Sequence, residues 1–245
     1  MQIIVSENKD EMGQKAAAQG AIALRAAITR NGSANLIVAT GASQFEMLAA
    51  LVQETEIDWG QVTVFHLDEY VGMPLTHPAS FRKYLKERFI EQLPQPVKVF
   101  QFINGENDCR GECGRLNDLI RQHPIDVAMV GIGENGHLAF NDPPADFQTE
   151  VPYLVVELDE ACRRQQWGEG WFPTLADVPT QAISMSVRHI MKSAELIVTV
   201  PDRRKAEAVR NTVRGAVTPQ VPASILQQHA NCTLFLDRPA AELLK

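Results

Sequence analysis

The sequence predicts an α/β fold: a Rossmann-like, mainly parallel sheet with helices on both faces and a short lid segment. Three observations predict it. Strand-length apolar runs alternate with helix-length segments along the whole chain, the pattern of a parallel sheet covered on both sides. Three of the runs lead into small or acidic residues: Thr40-Gly41-Ala42-Ser43, Asp68-Glu69-Tyr70, and Gly131-Ile132-Gly133-Glu134-Asn135-Gly136-His137. In a parallel sheet such strand ends share one edge, where small molecules bind. The length, 245 residues with 45% hydrophobic, supports one large domain with a full core.

The elements follow in order. Residues 2–5 read as a short strand, and 11–28 as an alanine-rich helix stopped near Asn31-Gly32, a usual helix-ending signal. Residues 36–39 form a strand, 40–43 the loop after it, and 44–53 the next helix. Residues 62–67 alternate into a strand that ends in Asp68-Glu69-Tyr70. Residues 78–90 are helical, with Pro78 suited to a first turn. A weak strand at 97–102 and a helix at 107–122 precede the buried strand 125–130, which enters the glycine loop. Residues 153–158 form a strand, 163–178 are irregular and make the candidate lid, and 183–190 read equally as strand or helix. A strand at 196–200, helices at 203–212 and 223–228, and a last strand at 232–236 complete the chain. No repeat, low-complexity tract or linker interrupts it, so a single domain over residues 1–245 is expected.

Composition narrows the function. The net charge of −7 argues against general nucleic-acid binding, which needs a basic footprint, although a local phosphate site remains compatible. No apolar run approaches a membrane span. The start, Met1-Gln2-Ile3-Ile4-Val5-Ser6-Glu7, lacks a basic region followed by an apolar core, so a cytoplasmic chain is expected. Cys109, Cys113, Cys162 and Cys232 show no zinc-like pairing and read as reduced thiols. His66, His77, His123, His189 and His229 are scattered, and no metal is assigned.

The glycine loop matches the dinucleotide pattern G-x-G-x-x-G after a strand. That pattern needs a helix opening at its last glycine. Here Pro143-Pro144 follows within a few residues, too close for a crossover helix. The loop instead carries His137 and Asp142, five residues apart. Histidine changes charge near neutral pH, and a carboxylate partner fixes its tautomer, so the pair points to proton transfer. Gly133 and Gly136 let the backbone approach a ligand.

Thr40, Gly41, Ala42 and Ser43 supply backbone N–H groups and hydroxyls ahead of a helix, suited to an anionic oxygen. They also suit a plain N-cap; the two readings are compatible. Asp68 and Glu69 end an apolar strand, where a carboxylate serves as a base toward a carbon-bound proton or simply as a solvated turn. Lys205, in the run Arg203-Arg204-Lys205, is a point charge able to hold phosphate. Arg163 and Arg164 form a second basic pair in the lid, either closing on an anion or exposed. Trp167, Trp171 and Phe172 read as packing anchors.

Two motifs then resemble a known family. Leu67-Asp68-Glu69-Tyr70-Val71-Gly72 with His77-Pro78-x-Ser80, and the run from Gly131 through His137 to Asn141-Asp142-Pro143, resemble the signatures of glucosamine-6-phosphate deaminases/isomerases. The sister 6-phosphogluconolactonases usually carry Asp-Glu-Arg in place of Asp68-Glu69-Tyr70 and a Ser-Leu-Phe-Pro type ending in place of Phe140-Asn141-Asp142-Pro143. The resemblance implies conversion of glucosamine 6-phosphate and water to fructose 6-phosphate and ammonia, without metal or organic cofactor. It implies that His137 opens the sugar ring, Asp68 shuttles a proton between C2 and C1, Glu69 flanks it, and Asp142 orients His137. Thr40, Gly41, Ala42, Ser43 and Lys205 fall where the family holds phosphate, and Arg163 or Arg164 where its lid arginine stands.

The chain departs from the family pattern at Asn135, often aspartate, and at Asp142, often glutamate. Asn135 removes a charge from the usual acidic relay, and Asp142 is one methylene shorter; Glu134 is an adjacent carboxylate available to compensate. The lid, residues 162–172, looks longer than in the common form. Ala145, Asp146, Pro152 and Leu154 stand where some relatives have an allosteric phosphosugar site, so no such activation is expected. Two further readings stand beside deamination: lactone hydrolysis of a phosphosugar acid, and a phosphosugar-binding regulator with degraded catalysis. The expected partner is a small phosphosugar, with a homo-oligomer compatible with the fold.

Overall fold

The computed structural model describes residues 1–106 and 108–244 of the chain. In chain order the elements are β1 (Gln2–Ser6), α1 (Lys9–Asn31), β2 (Ala34–Val38), α2 (Phe45–Leu51), β3 (Val62–His66), β4 (Asp68–Tyr70), α3 (Phe81–Arg88), β5 (Val99–Gln101) and α4 (Cys109–Ile120). They continue with β6 (Val127–Val130), β7 (Tyr153–Glu157), α5 (Glu160–Gly168), β8 (Gln181–Met185), α6 (Val187–Ile190), β9 (Glu195–Val200), α7 (Ala206–Arg214) and β10 (Cys232–Asp237).

Seven strands form one sheet in the order β1-β10-β9-β6-β2-β3-β5, and every pairing within it is parallel. The central strands are apolar because both faces are covered. Alternation along each strand sends its side chains to two cores. Leu36, Val38, Val64 and Met129 meet Met12, Ala16, Ala17 and Leu24 of α1 on one face. Ile37, Phe65, Ala128 and Val130 meet Leu116 and Ile120 of α4 and Val209 of α7 on the other. The start of α1 is capped by Asn8, whose side chain accepts from Glu11 N, and Gly32 at φ 73° ends it with a bond to Ile28 O. Each such cap is worth about 1 kcal/mol.

A second sheet, β4-β8-β7, is antiparallel. The sequence does not show it, because residues 62–70 read as one strand. The chain leaves the large sheet at Leu67, and residues 68–70 pair with β8 instead. Capping side chains cut other expected elements short. Ser80 accepts from Lys83 N, so the expected helix at 78–90 begins at Phe81. Asp108 starts α4 by accepting from Gly111 N; Asn107, expected at the start of that helix, lies outside the described residues. Ser186 divides the ambiguous stretch 183–190 into the strand β8 and the short helix α6 by accepting from His189 N. Residues 163–178, expected to be irregular, begin instead inside a helix: Asp159 accepts from Cys162 N and initiates α5. No described helix is long and apolar enough to cross a membrane.

Candidate functional site

The strand order reverses between β2 and β6: β3 and β5 follow β2 outward on one side, and β9 and β10 follow β6 on the other. Open α/β sheets bind ligands at such a switch point. The loops leaving β2, β6 and β9, with β4 beside them, wall a single cleft that brings together Thr40, Gly41, Ala42, Ser43, Asp68, Gly133, His137 and Lys205.

Asp68 is buried, 6% exposed. Loss of hydration, with the neighbouring Glu69 charge adding to it, pushes its carboxyl up to about 8. Glu69 does not line the cleft. Its carboxylate accepts from Ser80 Oγ at 2.8 Å, Arg82 N at 3.0 Å and Phe81 N at 3.2 Å, and Arg82 Nε lies 3.4 Å away. It therefore anchors the first turn of α3, and its flanking of Asp68 is electrostatic. Successive strand residues face opposite ways, the signal that separates the two carboxylates.

His137 is buried against the glycine loop. A Cβ on Gly133 would lie 2.3 Å from the imidazole, so the ring occupies the space that only glycine leaves. Nδ1 stands 3.2 Å from Asp142 Oδ1, within ion-pair distance but without the alignment of a hydrogen bond. Asn135 ties this pair together: its Nδ2 donates to Asp142 Oδ1 at 3.1 Å, and its Oδ1 accepts from His137 N at 3.0 Å. Burial raises the Asp142 pKa, but His137, Asn135 and the Asp159 N–H outweigh it and hold the carboxyl below its ordinary value. Glu134 does not join this group: its carboxylate is exposed and lies 3.6 Å from Arg204 Nε. Gly136, at φ 86°, packs against Val221 rather than the cleft. Cys162 Sγ, His137 and Asp142 bring ligand atoms within 4.8 Å of one another, while burial and the nearby carboxylates keep the thiol protonated.

The loop at 40–43 and Lys205 line the other side of the cleft. The helix after this loop, α2, has seven residues behind a 3-10 turn, so the donors here are the loop amides and hydroxyls. Lys205 is buried, 3% exposed, which lowers its pKa; Glu169 and Glu134 partly offset that. The lid arginines sit elsewhere. Arg163 donates to the carbonyls of Leu175 and Val178, and exposed Arg164 pairs with Glu160. Both lie on α5, whose cleft side presents Gln165 and Gln166, with Glu169 just past its end. No motif marked these three, nor Gln44; only knowledge of the helix phase reveals them. Of the aromatic anchors, Phe172 is buried with Tyr70 and Phe140 and Trp171 is partly so, but Trp167 is 43% exposed.

Fold and site define an α/β protein whose cleft at the sheet's switch point holds a buried carboxyl, a histidine beside a carboxylate, and a Thr-Gly-Ala-Ser loop with a lysine. Residues 7–235 match the family described as glucosamine-6-phosphate isomerases/6-phosphogluconolactonase, and the chain belongs to that family. It is 35% identical over 248 aligned residues to a glucosamine-6-phosphate deaminase of Lactobacillus delbrueckii subsp. bulgaricus, covering 100% of both chains. It is 37% identical over 216 residues to one of Streptococcus pneumoniae, covering 88% of this chain and 89% of that one. Among solved structures, a monomeric glucosamine-6-phosphate deaminase superposes with a TM-score of 0.88 at 29% identity, over 99% of this chain and 100% of that one. A 6-phosphogluconolactonase from Shewanella baltica shares the fold, with a TM-score of 0.80 at 17% identity over 97% of each chain.

Proposed function

We propose that the chain is an enzyme that converts glucosamine 6-phosphate and water to fructose 6-phosphate and ammonia. The observation that carries this reading is the convergence, in one cleft, of a buried carboxyl with a raised pKa, an imidazole backed by a carboxylate, and an anion loop with a lysine.

The phosphate sits against the loop at 40–43 and Lys205. Its binding energy, remote from the bond changes, holds C2 against Asp68. His137 takes the O1 hydroxyl proton and delivers it to the ring oxygen as the C1–O5 bond breaks, and Asp142 stabilises the transient imidazolium. Asp68 then takes the C2 proton and returns it to C1 while a proton passes from the C2 ammonium to O1, leaving an iminium at C2 that water hydrolyses to the ketose and ammonia. An ammonium on C2 also favours the ionised form of Asp68 that a base requires, which supports an amino sugar as substrate. Every group in this scheme comes from one chain, so no partner subunit is needed. The four free cysteines suit a reducing, cytoplasmic setting.

The test is incubation with glucosamine 6-phosphate in deuterated water. Ammonia and ketose form together, deuterium enters C1 in those turnovers in which the proton on Asp68 exchanges with solvent before its return, and Asp68→Asn lowers turnover about 10²–10⁴-fold. Absence of ammonia at any enzyme concentration, with hydrolysis of a phosphosugar lactone instead, sinks the reading.

A further inference from the structure

The cleft holds a buried donor that the proposed chemistry has not used. Gln44 lines the cleft and is fully buried, 0% exposed. Its Oε1 accepts from Thr199 Oγ1 at 3.0 Å, which pins the amide to the end of β9. Its Nε2 has no hydrogen-bond partner among the described residues. On the far side, a Cβ at Gly131 would lie 2.9 Å from that nitrogen, so the amide fills the gap left by glycine at the end of β6. An unmade hydrogen bond in a buried place is costly, and Gln44 is held there by a specific partner and a specific gap.

The charge balance of the cleft says what completes the bond. Lys205 is the one lysine or arginine on its wall among the described residues, since Arg163 and Arg164 bond elsewhere. Glu169 on the same wall adds a carboxylate. A phosphoryl group has three terminal oxygens, each able to accept more than one hydrogen bond, and Lys205 with the loop amides leaves room for another fixed donor. We infer that Gln44 is a specificity-determining contact for the phosphoryl group of the substrate, its Nε2 donating to the oxygen seated deepest in the cleft. This rests on the phosphosugar reading above.

The test compares wild type with Gln44→Met, which keeps length without a donor, and Gln44→Glu, which keeps shape and adds negative charge. Inorganic phosphate binding is measured by calorimetry, glucosamine 6-phosphate turnover by steady-state kinetics, and folding by melting temperature. The expected result is a phosphate Kd and a KM raised about tenfold or more in Gln44→Met, with KM rising more than kcat falls. Gln44→Glu weakens phosphate binding further. In wild type, the side-chain amide resonances of Gln44 shift as phosphate is added, a readout that needs no variant. Unmoved resonances at saturating phosphate, or a folded variant that binds both probes as wild type does, overturn the proposal. Failure of the wild-type protein to bind either probe overturns the phosphosugar reading itself, a separate outcome.

Discussion

Burial raises the carboxyl of Asp68, and the same burial sets a pH dependence. Its folded pKa of about 8 lies above the ordinary 3.8, so between those values the folded state binds the proton more tightly than the unfolded one. Stability therefore falls as pH rises from about 4 through about 8. Asp68→Asn is expected to raise the melting temperature, more at pH 9 than at pH 5, while abolishing C2 exchange; thermal melts across pH check it. If Asp68 is the base proposed above, it must ionise in the free enzyme, so kcat/KM is expected to rise with pH through about 8, with the limb of kcat lower because the bound ammonium favours the carboxylate. A pH–rate profile of wild type measures both. Gly133→Ala drives a methyl into the imidazole; displacement of about 1 Å costs roughly a hundredfold in kcat, with a destabilisation of about 1–3 kcal/mol. His137, Asp142 and Asp68 were legible because each stands in a long, ordered motif. The role of Asn135 was not: read as a missing charge, it is the bridge that bonds both members of the pair, a matter of loop geometry that residue type does not encode.

At the scale of elements, two helices are fastened to the site by polar side chains rather than by apolar packing alone. Glu69 pins α3 through bonds to Ser80, Phe81 and Arg82. Glu69→Ala leaves Ser80 Oγ, Phe81 N and Arg82 N without their acceptor, while the Arg82 guanidinium keeps Glu106, Asn104 and the Met73 carbonyl, and is expected to destabilise by about 1–3 kcal/mol, measured by urea unfolding. The lid helix α5 is latched by Tyr70 Oη donating to Gln166 Oε1 at 2.9 Å and by Glu134 N donating to Gln165 Oε1 at 3.0 Å. The parallel strands were readable because both-face burial writes continuous apolar runs. The lid was not, because α5 is short, carries Trp167 on its exposed side and starts only where Asp159 caps it. The small sheet was equally hidden: β4 continues β3 after one residue, and hydrophobic alternation does not reveal which partner a strand will take.

For the whole molecule, the reversal of strand order between β2 and β6 gathers loops from distant parts of the chain at one rim. With the proposed site residues all on one chain, rates are expected to be hyperbolic in glucosamine 6-phosphate, unchanged by N-acetylglucosamine 6-phosphate, and constant per enzyme over a wide concentration range. A sigmoidal curve that straightens on adding N-acetylglucosamine 6-phosphate contradicts this. Most of the apolar side chains on either side of the sheet lie away from the cleft, with only a few, such as Ala39, Leu67 and Ile132, shared between core and cleft. Such a division makes the architecture evolvable: turns and lids at the rim are free to be exchanged while the scaffold persists, so that distantly related proteins diverge in what they handle without having to reinvent how they fold.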